Sequence, residues 1–453
     1  MIVNSGLTDQ LASFSAGAHA LRIDNSVRRI VKTGFIDTVA TMLAGRDEPV
    51  VGVMRRFVAA RGASIADARV LFSAERVCAR DAALINATAG HALDYDDVAL
   101  RGHPSTVLVP ALLAEGERLA SGGDALIRAY VVGYETWAEL VTRDADLHHL
   151  KGWHPTAVFG VIGAAAAVAA LRGLDAVLAR HSLGIAASLA SGLVANFGSM
   201  VKPFHAGHAA ASGIDAVDLA VLGMTAAPDV LEHHAGFLAA LSPAGRMDRQ
   251  TPAAHLGERL RILESGLSIK KYPLCFAAHR VIDAILDLVH GHELRAEDVR
   301  EMHATIGIAQ ASMLRNHAPR TALEAKFSLE FALSAALVAG RVSLAQLDDA
   351  FVQRVDVQKL FAAVRISTTD TIHPAEPSLA ASDRLVVELR DGRRLDSGEV
   401  PFARGDAGLP LQEGDLEAKF FDCTEGVNDI DTRRLLLHLQ RLESVDDVRM
   451  LAE

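Results

Sequence analysis

The chain has 453 residues, half of them hydrophobic and 22% charged, which is ample for a large buried core and too long for one compact domain, so two are expected. A formal net charge of −11, with no block of consecutive Lys or Arg, argues against nucleic acid or an anionic membrane surface as partner. Cys78, Cys275 and Cys423 are too few and too scattered for a disulfide framework, and the first residues carry neither the basic nor the apolar region of a signal peptide. A cytoplasmic protein is therefore expected.

In chain order, the first elements are helices. In SVRRIVKTGFIDTVATMLAG, Val27, Ile30, Val31, Phe35, Ile36, Val39 and Met42 recur close to a helical period, and Gly45 stops it. DAALINATAGHAL, TVLVPALLAEGERLASG, DALIRAYVVGYETWAELV and DAVDLAVLGMTA repeat the style, with alanine and glycine suited to close helix packing. PTAVFGVIGAAAAVAAL, residues 155–171, is short and alanine-rich for a membrane span and is expected to be a buried helix. The texture changes near residue 266. SGLSIKKYPLCFAAHRVIDAILDLV begins extended and turns helical after Pro273. VREMHATIGIA and FAAVRISTTD carry β-branched residues at alternating positions, and DRLVVELRDGRRLDSGEV predicts a hairpin about Asp391-Gly392. After Pro401 helices return. The fold class expected is mainly α with an α+β second domain: residues 1–265 joined by 401–453 form a large all-helical domain, and residues 266–400 a smaller α+β domain.

No dinucleotide-binding glycine motif, P-loop, HExxH or CxxC is present, and no local pair of thiolates suits an iron–sulfur cluster. The run DYDD could offer Asp94, Asp96 and Asp97 to a divalent ion, but it reads more simply as solvated acids at a helix end. Four segments instead share one chemistry: HALDYDDVALRGHPS (His91, Asp94, His103), KGWHPTAVFG (His154), NFGSMVKPFHAGHAAASG (Lys202, His205, His208) and SIKKYPLCFAAH (Lys270, Lys271, Tyr272, Cys275, His279). Proline favours the first turn of a helix, so His103, His154 and Lys202 are expected just before helix N-termini, where free N–H groups attract anions. Imidazoles there suit moving a proton beside a bound carboxylate. His91, His205, His208 and His279 read equally well as packed core groups.

Together, HALDYDD…GHPS, GWHPT, KPFHAGHAA, KKYPLC…H and AKFSLEF resemble the MmgE/PrpD family over nearly the whole chain. Members dehydrate 2-methylcitrate, decarboxylate cis-aconitate or epimerise iminodisuccinate. The resemblance implies a helical domain, an α+β lid, an active site in the cleft between them, a homodimer, a small polycarboxylate substrate, and neither metal nor organic cofactor. Motif by motif, it implies His103 and His154 as acid–base groups, Asp94 to orient His103, and Lys202 and Lys270 to neutralise carboxylates. Lys271, Tyr272, Cys275 and His205 would contact substrate. The decarboxylase branch carries polar residues where this chain has Val98, Cys275 and Phe331. That difference favours an iminodisuccinate-epimerase-like isomerase, with a 2-methylcitrate-dehydratase-like or aconitate-decarboxylase-like lyase as the alternative and a non-catalytic binding protein on the same fold as a remote one.

Overall fold

The computed structural model describes residues 6–62, 65–374, 376 and 378–452. The chain divides into two compact units, Met1–Leu267 with Cys423–Glu453, and Ser268–Asp422.

The first unit is built on helices. At its centre lies Pro155–Leu171, buried at every position from Pro155 to Ala169. The helices Ser105–Leu119, Gly123–Thr142, Ala176–Leu189 and Val201–Val221 pack around it. Small residues set how closely they approach. A Cβ on Gly133 would meet the Gly163 carbonyl at 2.8 Å, and one on Gly213 would meet Ala164 Cβ at 2.5 Å. The alanine-rich segment is thus a core helix sheathed by other helices, and no helix among the described residues is long and apolar enough to cross a membrane. One departure from an all-helical unit is a two-residue antiparallel ladder, Ala68–Arg69 against Arg76–Val77.

The second unit holds a four-stranded mixed sheet in the order Val364–Thr369, Val299–Gly307, Asp383–Leu389, Arg394–Val400. The first pair is parallel and the other two antiparallel. The predicted hairpin is present. Its loop is three residues, Arg390 to Gly392, closed by Leu389 N–H on the Arg393 carbonyl, and Gly392 takes the left-handed φ of 89° that such a loop requires. Met302, Ala304, Ile306, Leu385 and Val387 face a core shared with Val281, Ile285 and Phe331 of the helices His279–His292 and Leu329–Ala339.

The boundary between the units differs from the one read in the sequence at its C-terminal side. Residues 401–422 belong to the second unit. Arg404 ties to Asp283 and Asp287, Lys271 pairs with Asp415 at 3.1 Å, and Lys419 Nζ donates to the Lys270 carbonyl at 2.8 Å. Helical periodicity in that segment shows an amphipathic helix but not which core it faces.

Candidate active site

Two His-Pro pairs open two of the central helices, His103-Pro104 before Ser105–Leu119 and His154-Pro155 before Pro155–Leu171. They are joined directly: the backbone N–H of His103 donates to Thr156 Oγ1 at 3.2 Å. The chain reaches His103 through a strained excursion from the end of the Ala79–Ala92 helix. Asp94, Leu100 and Arg101 have φ of 55°, 52° and 62°, a left-handed region that side chains with a Cβ occupy only when their surroundings hold them there. Leu100 and Arg101 form a tight turn closed by two hydrogen bonds between Ala99 and Gly102, at 3.0 and 2.8 Å. Trp137 Nε1 donates to the Leu100 carbonyl, and Arg101 to the carbonyls of Asp144 and Asp146. A Cβ on Gly102 would lie 3.0 Å from both Thr156 Oγ1 and the Trp137 ring, so glycine lets the turn seat against the second His-Pro helix.

The acids of DYDD are not solvated. Asp94 is 6% exposed, and Asp96 and Asp97 are fully buried. Each has a separate task. Asp97 accepts from the hydroxyl of Ser105 at 2.8 Å and from its backbone N–H, closing the N-terminus of the Ser105–Leu119 helix, and Ser105 in turn meets the Tyr130 hydroxyl at 2.7 Å. Burial, with the nearby charges of Asp37 and Asp96, pushes the Asp97 carboxyl well above the usual range. Asp96 behaves oppositely. Burial alone would raise it, but the imidazoles of His91 and His103 hold it well below the usual carboxylate range. Adjacent carboxylates are thereby driven apart, one raised and the other lowered.

Asp96 organises two imidazoles. His91 Nδ1 lies 2.9 Å from Asp96 Oδ2, and His103 Nδ1 lies 3.3 Å from the same oxygen and 2.7 Å from the Asp97 carbonyl. Neither acceptor can donate, so Nδ1 carries the hydrogen in both rings and Nε2 of His103 is left as its lone-pair nitrogen. Burial pushes His91 down to about 4, so it is a neutral support at neutral pH. Asp94, expected to orient His103, receives the Lys202 ammonium, and the carboxylate beside the His103 ring is that of Asp96. Lys202 also lies 5.4 Å from the centre of the Phe197 ring, against which His154 stacks edge-on at 4.8 Å. His154 completes the cluster, 6.0 Å from His91 ring to ring. Burial first, with the neighbouring imidazoles and the Lys202 ammonium opposing a further positive charge, holds it well below its ordinary value and therefore neutral. His205, one turn beyond Lys202 on the same helix face, meets His154 Nδ1 to Nδ1 at 3.0 Å.

Of the expected site residues, Asp94, His103, His154, Lys202 and His205 come together in the first unit. Lys270, Lys271, Tyr272 and Cys275 belong to the second. There Lys270 is 1% exposed, Lys271 pairs with Asp415, and the Tyr272 hydroxyl donates to Asp283 at 2.6 Å. The Cys275 backbone N–H donates to the Lys326 carbonyl, and His279 packs on Tyr272 and Phe276. The Tyr272 hydroxyl thus has a partner within its own unit. Sequence reasoning read Asp96 and Asp97 only as possible ion ligands or solvated acids, and did not single out Thr156. The signal for the last was the repetition of His-Pro followed by a hydroxyl residue.

Donor atoms of His91, Asp94, Asp96 and His103 lie within 4.8 Å of one another, a set that could surround a cation. An ion there would have to displace the Lys202 ammonium from Asp94 and the Nδ1 hydrogens from Asp96. The donors are already engaged by the protein's own positive and N–H groups.

Two family domains match this chain, the MmgE/PrpD N-terminal domain over residues 9–250 and the MmgE/PrpD C-terminal domain over residues 272–443. The chain belongs to the MmgE/PrpD family. Among curated relatives, the cis-aconitate decarboxylase of Homo sapiens is 27% identical, covering 97% of this chain and 93% of its own. Those of Mus musculus and Aspergillus terreus are 27% and 28% identical, covering 82% and 71% of this chain and 77% and 70% of their own.

Proposed function

We propose that the protein is a cofactor-independent lyase that acts on a small polycarboxylate by proton transfer at a carbon next to a carboxylate. The observation that carries this reading is the Asp96–His103 pair, a buried ionised carboxylate fixing an imidazole with its Nε2 lone pair available, beside the Lys202 ammonium. In a dehydration His103 Nε2 removes the proton from carbon, and the hydroxyl on the neighbouring carbon leaves as water, taking a proton from the imidazolium. In a decarboxylation the C–C bond breaks to release carbon dioxide, and a His103 imidazolium, protonated from solvent, delivers the proton to the carbon. Asp96 stabilises the imidazolium that forms. Lys202, freed in part from Asp94 by an incoming carboxylate, faces the enolate-like charge that develops. The decarboxylase relatives support elimination or decarboxylation over epimerisation.

Epimerisation remains a second reading for one reason: Val98, Cys275 and Phe331 are apolar or weakly polar where the decarboxylase branch is polar, and Phe331 lies fully in the second unit's core. A panel of di- and tricarboxylates followed by proton NMR separates the two. A lyase yields a new alkene or releases carbon dioxide, whereas an epimerase conserves the substrate skeleton and only exchanges the proton. Turnover of none of these acids would refute both.

A further inference from the structure

His154 and His205 face each other through the same nitrogen. The Nδ1–Nδ1 separation of 3.0 Å is that of a hydrogen bond, and such a bond holds one hydrogen. Burial lowers both rings, His205 to about 4, so neither carries a second proton at neutral pH. Whichever ring donates at Nδ1 therefore forces the other to carry its hydrogen on Nε2. His154 Nε2 makes no hydrogen bond to any described residue. It is the nitrogen left for a ligand, and its state depends on His205 alone.

The chemistry of the surroundings selects one arrangement. His154 is next to the Lys202 ammonium, which suits an anion. A lone pair turned toward a carboxylate is repelled, whereas an N–H is attracted. We propose that His205 is a positioning residue that donates from Nδ1 to His154 Nδ1, fixing His154 as a neutral Nε2–H donor to a substrate carboxylate and not as a second base. This deepens the polycarboxylate reading above and rests on it for the identity of the ligand. Lys202 and His205, three residues apart on the Val201–Val221 helix, then act together: one supplies charge and the other sets the hydrogen that meets it.

The tautomer can be read without substrate. In protein labelled with ¹⁵N-histidine, long-range proton–nitrogen correlation, assigned by loss of signals in His154→Gln, distinguishes protonated from unprotonated ring nitrogens. The expected result is a protonated Nε2 and an unprotonated Nδ1 in His154, unchanged in His205→Asn, whose amide can still donate. In His205→Phe that pattern should be lost, and citrate should bind about tenfold more weakly, as for a missing hydrogen bond to a charged group. His205→Asn should restore citrate binding. A His154 protonated on Nδ1 in the wild type, or a His205→Phe protein with the wild-type tautomer, overturns the proposal. Because the tautomer is measured in the free protein, a wild type with the expected pattern that ignores citrate would count against the polycarboxylate reading and leave the positioning role standing.

Discussion

At the residue scale, the site turns on which acid serves which base. Asp94 and His103 stand out in the sequence because an acidic cluster precedes a His-Pro pair, but the decisive contact is between Asp96 and His103, and three acids within four residues give no hint of which one faces inward. Left-handed φ at Asp94 turns that side chain away to Lys202 and lets Asp96 point to the imidazoles, a choice made by the backbone and hidden from composition. Asp96→Asn keeps the volume but removes the charge and can present an N–H to His103, so kcat is expected to fall about 10²–10⁴-fold with a folded protein by circular dichroism. A variant with wild-type kcat would mean that Asp96 only packs.

At the element scale, the two His-Pro helices work as one. The loop between Ala92 and Ser105 carries the strain, and the His103 N–H on Thr156 ties it down. Thr156→Val keeps the shape and leaves that N–H without its acceptor, a loss of about 1–3 kcal/mol, and should lower both the melting temperature and kcat. The hairpin at Asp391-Gly392 was legible because its signal is local. The membership of residues 401–422 was not, because the ion pairs that hold them reach back more than a hundred residues. A second test concerns Glu135, which accepts backbone N–H groups of Arg261 and Ile262 at 2.9 Å and so joins the Gly123–Thr142 helix to the short helix Ile262–Ser265. Burial raises it from 4.5 to about 7. A raised acid binds a proton in the folded state that the unfolded chain has released, so the wild type loses stability as pH rises from about 4.5 to about 7. Glu135→Gln lacks this dependence. Its unfolding free energy relative to wild type should improve by about 3 kcal/mol between pH 4 and pH 8 in urea titrations. A pH-independent difference would place the Glu135 titration lower than stated.

At the scale of the whole molecule, the net charge of −11 would repel a polycarboxylate, so binding must depend on a local set of positive and N–H groups. The Lys202 ammonium and the His154 Nε2–H supply such a set inside an acidic protein. Citrate should therefore raise the melting temperature of the wild type through linkage, and Lys202→Met should abolish the rise. Prolonged treatment with EDTA should leave turnover unchanged, since Lys202 and the Nδ1 hydrogens hold the carboxylates that a metal would need. Activity lost to EDTA and restored by a divalent ion would instead put that ion at His91, Asp94, Asp96 and His103. The most direct test of the central claim is proton NMR of the polycarboxylate panel in D₂O with wild type and His103→Gln side by side. The wild type should convert at least one acid with loss of water or carbon dioxide, at a rate about 10²–10⁴-fold above the variant. A His103→Gln protein that performs the same elimination at the wild-type rate would contradict it.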